Sequence, residues 1–152
     1  NLLFAAGHFI TYGEGACEML HGHNYRVGVA LFGDLDGHSL VYDFVALRRT
    51  MEGLLMELDH RVLLPTGNLH FIVSRQGGEI EVVHAKRRYV FPEPDVVVLP
   101  IPNTTAERLA EYLCDRLQDR LRDSGVDHLR RIELEVEESI GQSAWCLRDI
   151  GT

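Results

Sequence analysis

Alternation of apolar and polar residues with a period of two predicts strands in four parts of the chain. These parts are residues 2–10, 23–32, 130–139 and 143–148. The clearest is 130–139 (RRIELEVEES), where isoleucine, leucine and valine alternate with glutamates. In the second strand, the residues predicted to share one face are Tyr25, Val27, Val29 and Leu31.

Two other parts of the chain have the period of a helix. The first begins after Asp43, a suitable N-cap, and continues to about residue 58. The second covers about 105–123, and Thr104 with Glu107 has capping-box spacing at its start. The apolar stripes are Phe44, Leu47, Met51, Leu54, Leu55 and Leu58 in the first helix and Leu109, Leu113, Leu117 and Leu121 in the second.

This order of elements predicts an α+β fold with an antiparallel sheet, because strands are grouped before and after the helices rather than alternating with them. Residues 68–99, called the inserted segment below, lie between the helices and read as a β-hairpin with further extended pieces. The length of 152 residues fits a single domain, 1–152, with an insertion at about 68–99.

Composition narrows the possible functions. Apolar residues make up 45% of the chain and charged residues 25%, as in ordinary globular proteins. The net charge of −8 with neutral histidines argues against nucleic-acid binding, which needs clustered positive charge. No run approaches the ~18 apolar residues of a membrane span. The three cysteines are widely spaced and odd in number, so we expect no disulfide framework and a reducing, cytoplasmic location.

The stretch CEMLHGHNY, residues 17–25, concentrates groups that bind metals. His21 and His23 are two residues apart, so both imidazoles leave the same face of a strand. His8 on the preceding strand can supply a third nitrogen, and three imidazoles with an open fourth position are typical of catalytic zinc. The alternative is that each histidine is only structural. The sequence pattern leaves three roles open for Cys17, namely zinc ligand, catalytic base and inert thiol.

Two further positions carry candidate chemistry. Asp59 and His60 are adjacent, which suits an orienting pair for proton transfer, although a helix end with a favourable histidine is the structural alternative. Glu138 falls by parity on the apolar face of the 130–139 strand, where a carboxylate is costly unless it is paired or binds a ligand. If that strand ends at residue 136, Glu138 is simply exposed.

Six motifs occur in order along the chain: FAAGH, CEMLHGHNY, LVYDFVALR, LDH, TAERLA and VEES. Together they resemble the 6-pyruvoyltetrahydropterin synthase / 6-carboxytetrahydropterin synthase family. The resemblance extends from Phe4 to about Leu147, apart from the inserted segment. Six motifs in the right order are highly specific.

The resemblance implies a zinc enzyme that acts on a pterin triphosphate. It also implies an antiparallel four-stranded sheet with two helices on one face, of the tunnelling-fold type. The chains are expected to form homo-oligomers, trimers or hexamers, with active sites between subunits and the Asp-His pair supplied by a neighbouring chain. The implied ligands of Zn²⁺ are His8, His21 and His23, the implied catalytic residues are Cys17, Asp59 and His60, and the implied substrate-binding residues are Glu138 and Thr105.

The number of residues between Cys17 and His21 helps to predict which reaction of the family the protein catalyses. Three residues separate Cys17 from His21, which resembles the bacterial 6-carboxytetrahydropterin synthases of the queuosine pathway. The expected reaction converts 7,8-dihydroneopterin triphosphate to 6-carboxy-5,6,7,8-tetrahydropterin, with loss of triphosphate and a two-carbon fragment. The alternatives are a 6-pyruvoyltetrahydropterin synthase, whose gap tends to be longer, and a non-catalytic zinc- and pterin-binding oligomer. A third branch of the family has a catalytic glutamate, and Glu14 and Glu18 keep that branch open.

The inserted segment is the main departure from the resemblance, since the family usually passes directly from the Asp-His pair to the second helix. The segment can cover the pocket, extend the sheet or alter substrate choice. Its basic sequence HAKRR can meet phosphates, although an exposed hairpin is the preferred interpretation.

Overall fold

The computed structural model describes residues 2–150, so both ends of the predicted 1–152 domain lie outside the described residues. Within this range, no helix combines the length and apolar character that crossing a membrane requires. The elements in chain order are β1 (Leu2–His8), β2 (Thr11–Tyr12), β3 (Ala16–Cys17), β4 (His21–Gly33), α1 (Phe44–Met56), β5 (Arg61–Pro65), β6 (Ile72–Gln76), β7 (Glu79–His84), β8 (Arg87–Pro92), β9 (Val96–Leu99), α2 (Ala106–Asp123), β10 (Leu129–Ser139) and β11 (Gln142–Asp149).

The main sheet has six strands in the order β11-β10-β4-β1-β5-β9. Its first four strands are antiparallel, whereas β5 pairs parallel with β1 and β9 pairs parallel with β5. The α+β fold with two helices is confirmed, but the prediction of a four-stranded antiparallel sheet is wrong. Both additional strands, RVLLP and VVVL, are mostly apolar and lack the alternation of the other strands. Such runs are typical of parallel strands.

Both helices pack against one face of the main sheet, because their apolar residues share one core with inward residues of β1, β4, β10 and β11. The predicted stripe of α2 is entirely buried. In α1, Met51, Leu54 and Leu55 are buried, whereas Phe44 is 85% exposed. Phe44 is the first residue of the helix and precedes the buried part by nearly two turns, so its place in the stripe was predicted wrongly.

The helix starts differ in how well they were predicted. Asp43 caps α1 by accepting a hydrogen bond from the Val45 N–H at 2.7 Å. The N-cap of α2 is Thr105, whose Oγ1 accepts from the Arg108 N–H at 3.4 Å. Thr104 was the predicted cap, but it is fully buried and donates its hydroxyl to the Phe9 carbonyl at 3.3 Å. Its side chain therefore serves the end of β1 rather than the helix.

The inserted segment forms a separate antiparallel sheet of β6, β7 and β8 and then contributes β9 to the main sheet. The β6–β7 turn is built on Gly77 and Gly78, which both have positive φ. Apolar residues of this small sheet pack on the main domain in a second cluster. That cluster consists of Phe9, Cys17, Leu64, Phe71, Ile80, Val82 and Val96.

Candidate active site

Strands β1 and β4 bring three histidines together. Their register pairs His8 with His21 and Ala6 with His23. Because alternate residues of a strand share a face, all three imidazoles project from the same side of the sheet. The ring centroids are 4.7 Å apart for His8 and His21, 4.9 Å for His21 and His23, and 5.3 Å for His8 and His23. The three rings therefore surround one small site.

Glu138 joins this group because β10 continues to Ser139, although its pairing with β11 shifts register between Glu137 and Ser139. Its Oε1 lies 3.1 Å from His8 Nε2 and 3.0 Å from His23 Nε2. Hydrogen bonding to His8 holds the pKa of Glu138 below its ordinary value, and burial lowers the pKa of His23. These shifts favour a carboxylate beside a neutral imidazole, and those are the protonation states that bind metals.

Backbone carbonyls orient two of the imidazoles. His8 Nδ1 lies 2.9 Å from the Thr104 carbonyl oxygen, and His21 Nδ1 lies 2.8 Å from that of Met19. Since a carbonyl can only accept, each Nδ1 carries a proton, and Nε2 is the ring nitrogen that is left to bind a metal. A second ring nitrogen held in this way is typical of metal-bound histidines.

The donor atoms fit a metal ion. His23 Nε2 is buried and, despite its 3.0 Å separation from Glu138 Oε1, has no hydrogen bond of acceptable geometry within residues 2–150. Leaving such an atom unsatisfied is costly, and coordination removes the cost. The donor atoms of His8, His21, His23 and Glu138 all lie within 4.8 Å of one another. Three imidazole nitrogens and a carboxylate oxygen this close together are able to hold one metal ion.

Cys17 and Glu18 have different surroundings. The Cys17 thiol is 8% exposed in the second apolar cluster, and burial raises its pKa. Glu18 extends toward the histidines, with Oε2 3.7 Å from His21 Nε2 and a side chain that is 39% exposed. The structure thus gives the carboxylate contact with a histidine, whereas the thiol lies in the apolar cluster and donates to the Glu18 carbonyl at 3.3 Å. The catalytic role of Cys17 stays a prediction.

Asp59 and His60 pair with each other beside β1. Asp59 Oδ1 accepts the Ala5 N–H at 2.7 Å, and its Oδ2 lies 2.9 Å from His60 Nδ1. The His60 side chain is 83% exposed, and it lines a groove of about 520 Å³ that also reaches His23. Within the described chain, neither residue hydrogen-bonds to the three histidines. The structure therefore forms the predicted pair but leaves it facing outward.

Sequence reasoning missed two residues that contact His8. Thr104 orients it through a carbonyl 96 positions away, and a backbone contact of that kind leaves no mark in the sequence. The hydroxyl of Tyr25 lies 3.3 Å from both ring nitrogens of His8. Burial raises the pKa of Tyr25. The period of β4 placed Tyr25 on the inward face and could have indicated this contact. Thr105, the predicted substrate-binding residue, follows Thr104 and caps α2.

Comparison with known proteins identifies a family for this chain. The sequence profile of the family described as 6-pyruvoyl tetrahydropterin synthase matches residues 2–149. A Methanocaldococcus jannaschii protein provisionally named 6-carboxy-5,6,7,8-tetrahydropterin synthase is 36% identical over 149 residues, 97% of this chain and 90% of that protein. A Pyrococcus furiosus dihydroneopterin monophosphate aldolase is 37% identical over 60 residues, 40% of this chain and 50% of that protein.

Among solved structures, a Plasmodium vivax 6-pyruvoyltetrahydropterin synthase superimposes with a TM-score of 0.92 at 28% identity. That protein carries alanine in place of a catalytic glutamate. The match covers 98% of this chain and 93% of that chain, so the inserted segment has a counterpart there and is not peculiar to this protein. Since the profile spans almost all of the chain, the protein belongs to the 6-pyruvoyl tetrahydropterin synthase family.

Proposed function

We propose that the protein is a zinc-dependent pterin synthase that converts 7,8-dihydroneopterin triphosphate to 6-carboxy-5,6,7,8-tetrahydropterin, a step of the queuosine precursor pathway. The observation that carries this proposal is the convergence of three imidazoles, two of them oriented by backbone carbonyls, on one site beside two carboxylates. The name of the M. jannaschii relative supports the choice of product.

Zn²⁺ held by His8, His21 and His23 would polarise oxygens of the substrate side chain. The protein must supply the rest of the chemistry. Glu138 offers two acceptors that match two parallel N–H donors on the edge of a pterin ring, with Thr105 assisting. Glu138 Oε1 also lies close enough to His8 Nε2 and His23 Nε2 for all three atoms to bind one metal ion. The role of Glu138 as an anchor for the pterin must therefore be distinguished from a role as fourth ligand of the metal.

Cleavage of the substrate side chain requires a group that accepts and returns a proton. The candidates on the loop before β4 are Glu14, Cys17 and Glu18. Glu14 is exposed, and among the described residues the carboxylates paired with the three histidines are Glu18 and Glu138. A carboxylate in contact with His21 is better placed for this than a buried thiol whose pKa is raised. The catalytic glutamate of the P. vivax structure supports the same choice.

The position of Glu18 also favours a second candidate function, an aldolase-type cleavage of the dihydroneopterin side chain. The P. furiosus relative is named for such a reaction on a monophosphate. A carboxylate base suits this reaction, because removing a hydroxyl proton next to the carbon–carbon bond is enough to start the cleavage.

The proposed enzyme is a homo-oligomer, trimeric or hexameric, with active sites between subunits. Asp59 and His60 would complete the site of a neighbouring chain as an orienting pair. The 83% exposure of His60 supports this proposal, since a side chain that serves its own site would be expected to face inward.

Mass spectrometry of the product from 7,8-dihydroneopterin triphosphate tests the function. A 6-carboxytetrahydropterin product supports the proposal, whereas a 6-pyruvoyl product or a hydroxymethyl pterin supports the alternatives. Pterin binding without turnover identifies a non-catalytic oligomer. The substitution Glu138→Gln separates the two roles of that residue. If Glu138 anchors the pterin, the variant should keep its zinc and bind pterin poorly. If Glu138 is a ligand of the metal, the variant should lose zinc.

A further inference from the structure

The inserted segment contacts residues 9–20, called the Glu18 loop below, which carry the candidate bases Glu14, Cys17 and Glu18. The guanidinium of Arg87 donates to the Glu18 carbonyl at 2.7 Å and to the Cys17 carbonyl at 2.8 Å. These two carbonyls are consecutive, and the planar fork of an arginine can satisfy both at once. Arg87 is half-buried, which favours such contacts over mobile surface pairing.

The end of β7, next to the turn into β8, supplies a second contact with the same loop. His84 is the cross-strand partner of Arg87, so both side chains project from the same face of the small sheet. His84 Nε2 lies 2.9 Å from the Gly15 carbonyl and donates to it. Ala85, within the turn, has a φ of 51°, a left-handed conformation that is uncommon for alanine. A strained turn that presents two donors to one loop points to a functional arrangement.

Aromatic packing fixes the small sheet against the start of the loop. Phe9 directly follows the ligand candidate His8 and is 1% exposed. Its ring stacks on Tyr89 at 5.3 Å and meets the edge of Phe71 at 5.0 Å. Tyr89 lies two residues beyond Arg87 on β8 and faces the same way. The small sheet is therefore a rigid base from which Arg87 reaches the loop.

We propose that Arg87 is a positioning residue that holds the Glu18 loop through its two carbonyls and thereby sets the Glu18 carboxylate beside His21. The inference rests on the proposed function, in which a group of this loop moves a proton. On this inference, the role of the inserted segment is to hold the Glu18 loop in place at the site. Phosphate binding by the basic sequence is not needed to account for Arg87, whose donors already meet the loop.

Arg88 provides a matched control for Arg87. It is the next residue of the same strand, faces the opposite side and pairs with Glu81 on β7. Three single variants of the full-length zinc-loaded protein are compared with the wild type. They are Arg87→Met, Arg87→Lys and Arg88→Met. Hydrogen exchange followed by mass spectrometry reports on residues 9–20, and steady-state kinetics with the pterin triphosphate reports on the reaction.

In Arg87→Met, exchange of the Glu18 loop should accelerate about tenfold while β6 and β7 stay protected. Turnover at saturation should fall by about 100-fold, the effect of displacing a reacting group by about 1 Å. The Michaelis constant and zinc content should stay close to those of the wild type. Arg87→Lys keeps the charge but cannot span both carbonyls, so it should restore only part of the turnover. Arg88→Met should match the wild type in every measurement.

Unchanged exchange and turnover in Arg87→Met would overturn the inference. Faster exchange across β6 and β7 as well would also overturn it, because Arg87 would then stabilise the small sheet rather than position the loop. If Arg87→Met does not fold, exchange of the loop in Arg87→Lys decides the question in the same way. A wild-type protein without turnover would refute the proposed function, while the exchange comparison would still test the contact of Arg87 with the loop.

Discussion

Replacing Glu18 by glutamine tests which side chain moves the proton in the proposed reaction. The substitution keeps the size of the side chain and removes its charge. Because the side chain is 39% exposed, the free energy of unfolding should change by less than about 0.5 kcal/mol. A loss of turnover in this variant can therefore be assigned to the chemistry.

The size of the loss follows from the proton-transfer role. General acid–base groups contribute ~10²–10⁴-fold to rates, which corresponds to about 2.7–5.4 kcal/mol of activation free energy. We therefore expect turnover of Glu18→Gln to fall by at least about 100-fold. Its zinc content should be unchanged, since the three histidine ligands remain.

Cys17→Ala is the contrasting variant. An ordinary thiol is only a few per cent ionised near pH 7, and burial raises the pKa of Cys17 further. Its removal should cost less than about tenfold in turnover, below the usual range for a general base. It should lower the free energy of unfolding by about 1 kcal/mol, because it leaves a small cavity in the cluster around Phe9 and Leu64.

Steady-state kinetics, metal analysis and urea unfolding of both variants provide the measurement. Steady-state turnover that falls 100-fold in Cys17→Ala and stays normal in Glu18→Gln would refute the reasoning from burial. Cys17 would then be the base despite its surroundings, and the contact between Glu18 and His21 would be incidental.

Three further predictions concern the metal, the acid stability and the shared site. His21→Ala should lose most of its zinc because one of three imidazole ligands is gone; full zinc content by plasma mass spectrometry would contradict the assignment. The N–H of Ala5 holds the pKa of Asp59 below its ordinary value. The stabilisation from Asp59 is therefore present above its unfolded pKa of about 3.9 and is lost as the pH falls through the lower folded value. Asp59→Asn should flatten the decline of melting temperature in that acidic range, and an unaltered decline would show that the pairing is unimportant. Mixing Glu18→Gln with Asp59→Asn protein should restore part of the activity in hybrid oligomers, whereas a fully active monomer in sedimentation experiments would exclude a shared site.

The local parts of the fold and site could be predicted from the sequence alone. Residues two apart on a strand share a face whatever the rest of the chain does, so His21 and His23 were bound to project together. The same parity placed Glu138 inward, where the structure finds it beside His8 and His23. The helices were also predictable, because their stripes repeat at helical spacing and Asp43 supplies a local cap.

Contacts between distant parts of the chain were decided by the tertiary structure. The parallel strands β5 and β9 are mostly apolar without clean alternation, so only the pairing of β5 with β1 and of β9 with β5 identifies them as part of the main sheet. The extended pieces of the inserted segment were predicted from the sequence, but only the structure shows that three of them form a separate sheet.

The site itself shows the same division. The sequence shows which residues carry imidazoles and carboxylates. The orientation of these side chains, however, depends on backbone carbonyls that lie far away along the chain. Thr104 holds His8 across 96 positions, and Arg87 reaches the carbonyls of Cys17 and Glu18 across 70 and 69. A carbonyl oxygen is the same for every residue type, so its partner cannot be recognised from side-chain pattern. Only the folded chain shows that the thiol is enclosed among apolar side chains while the neighbouring carboxylate reaches His21.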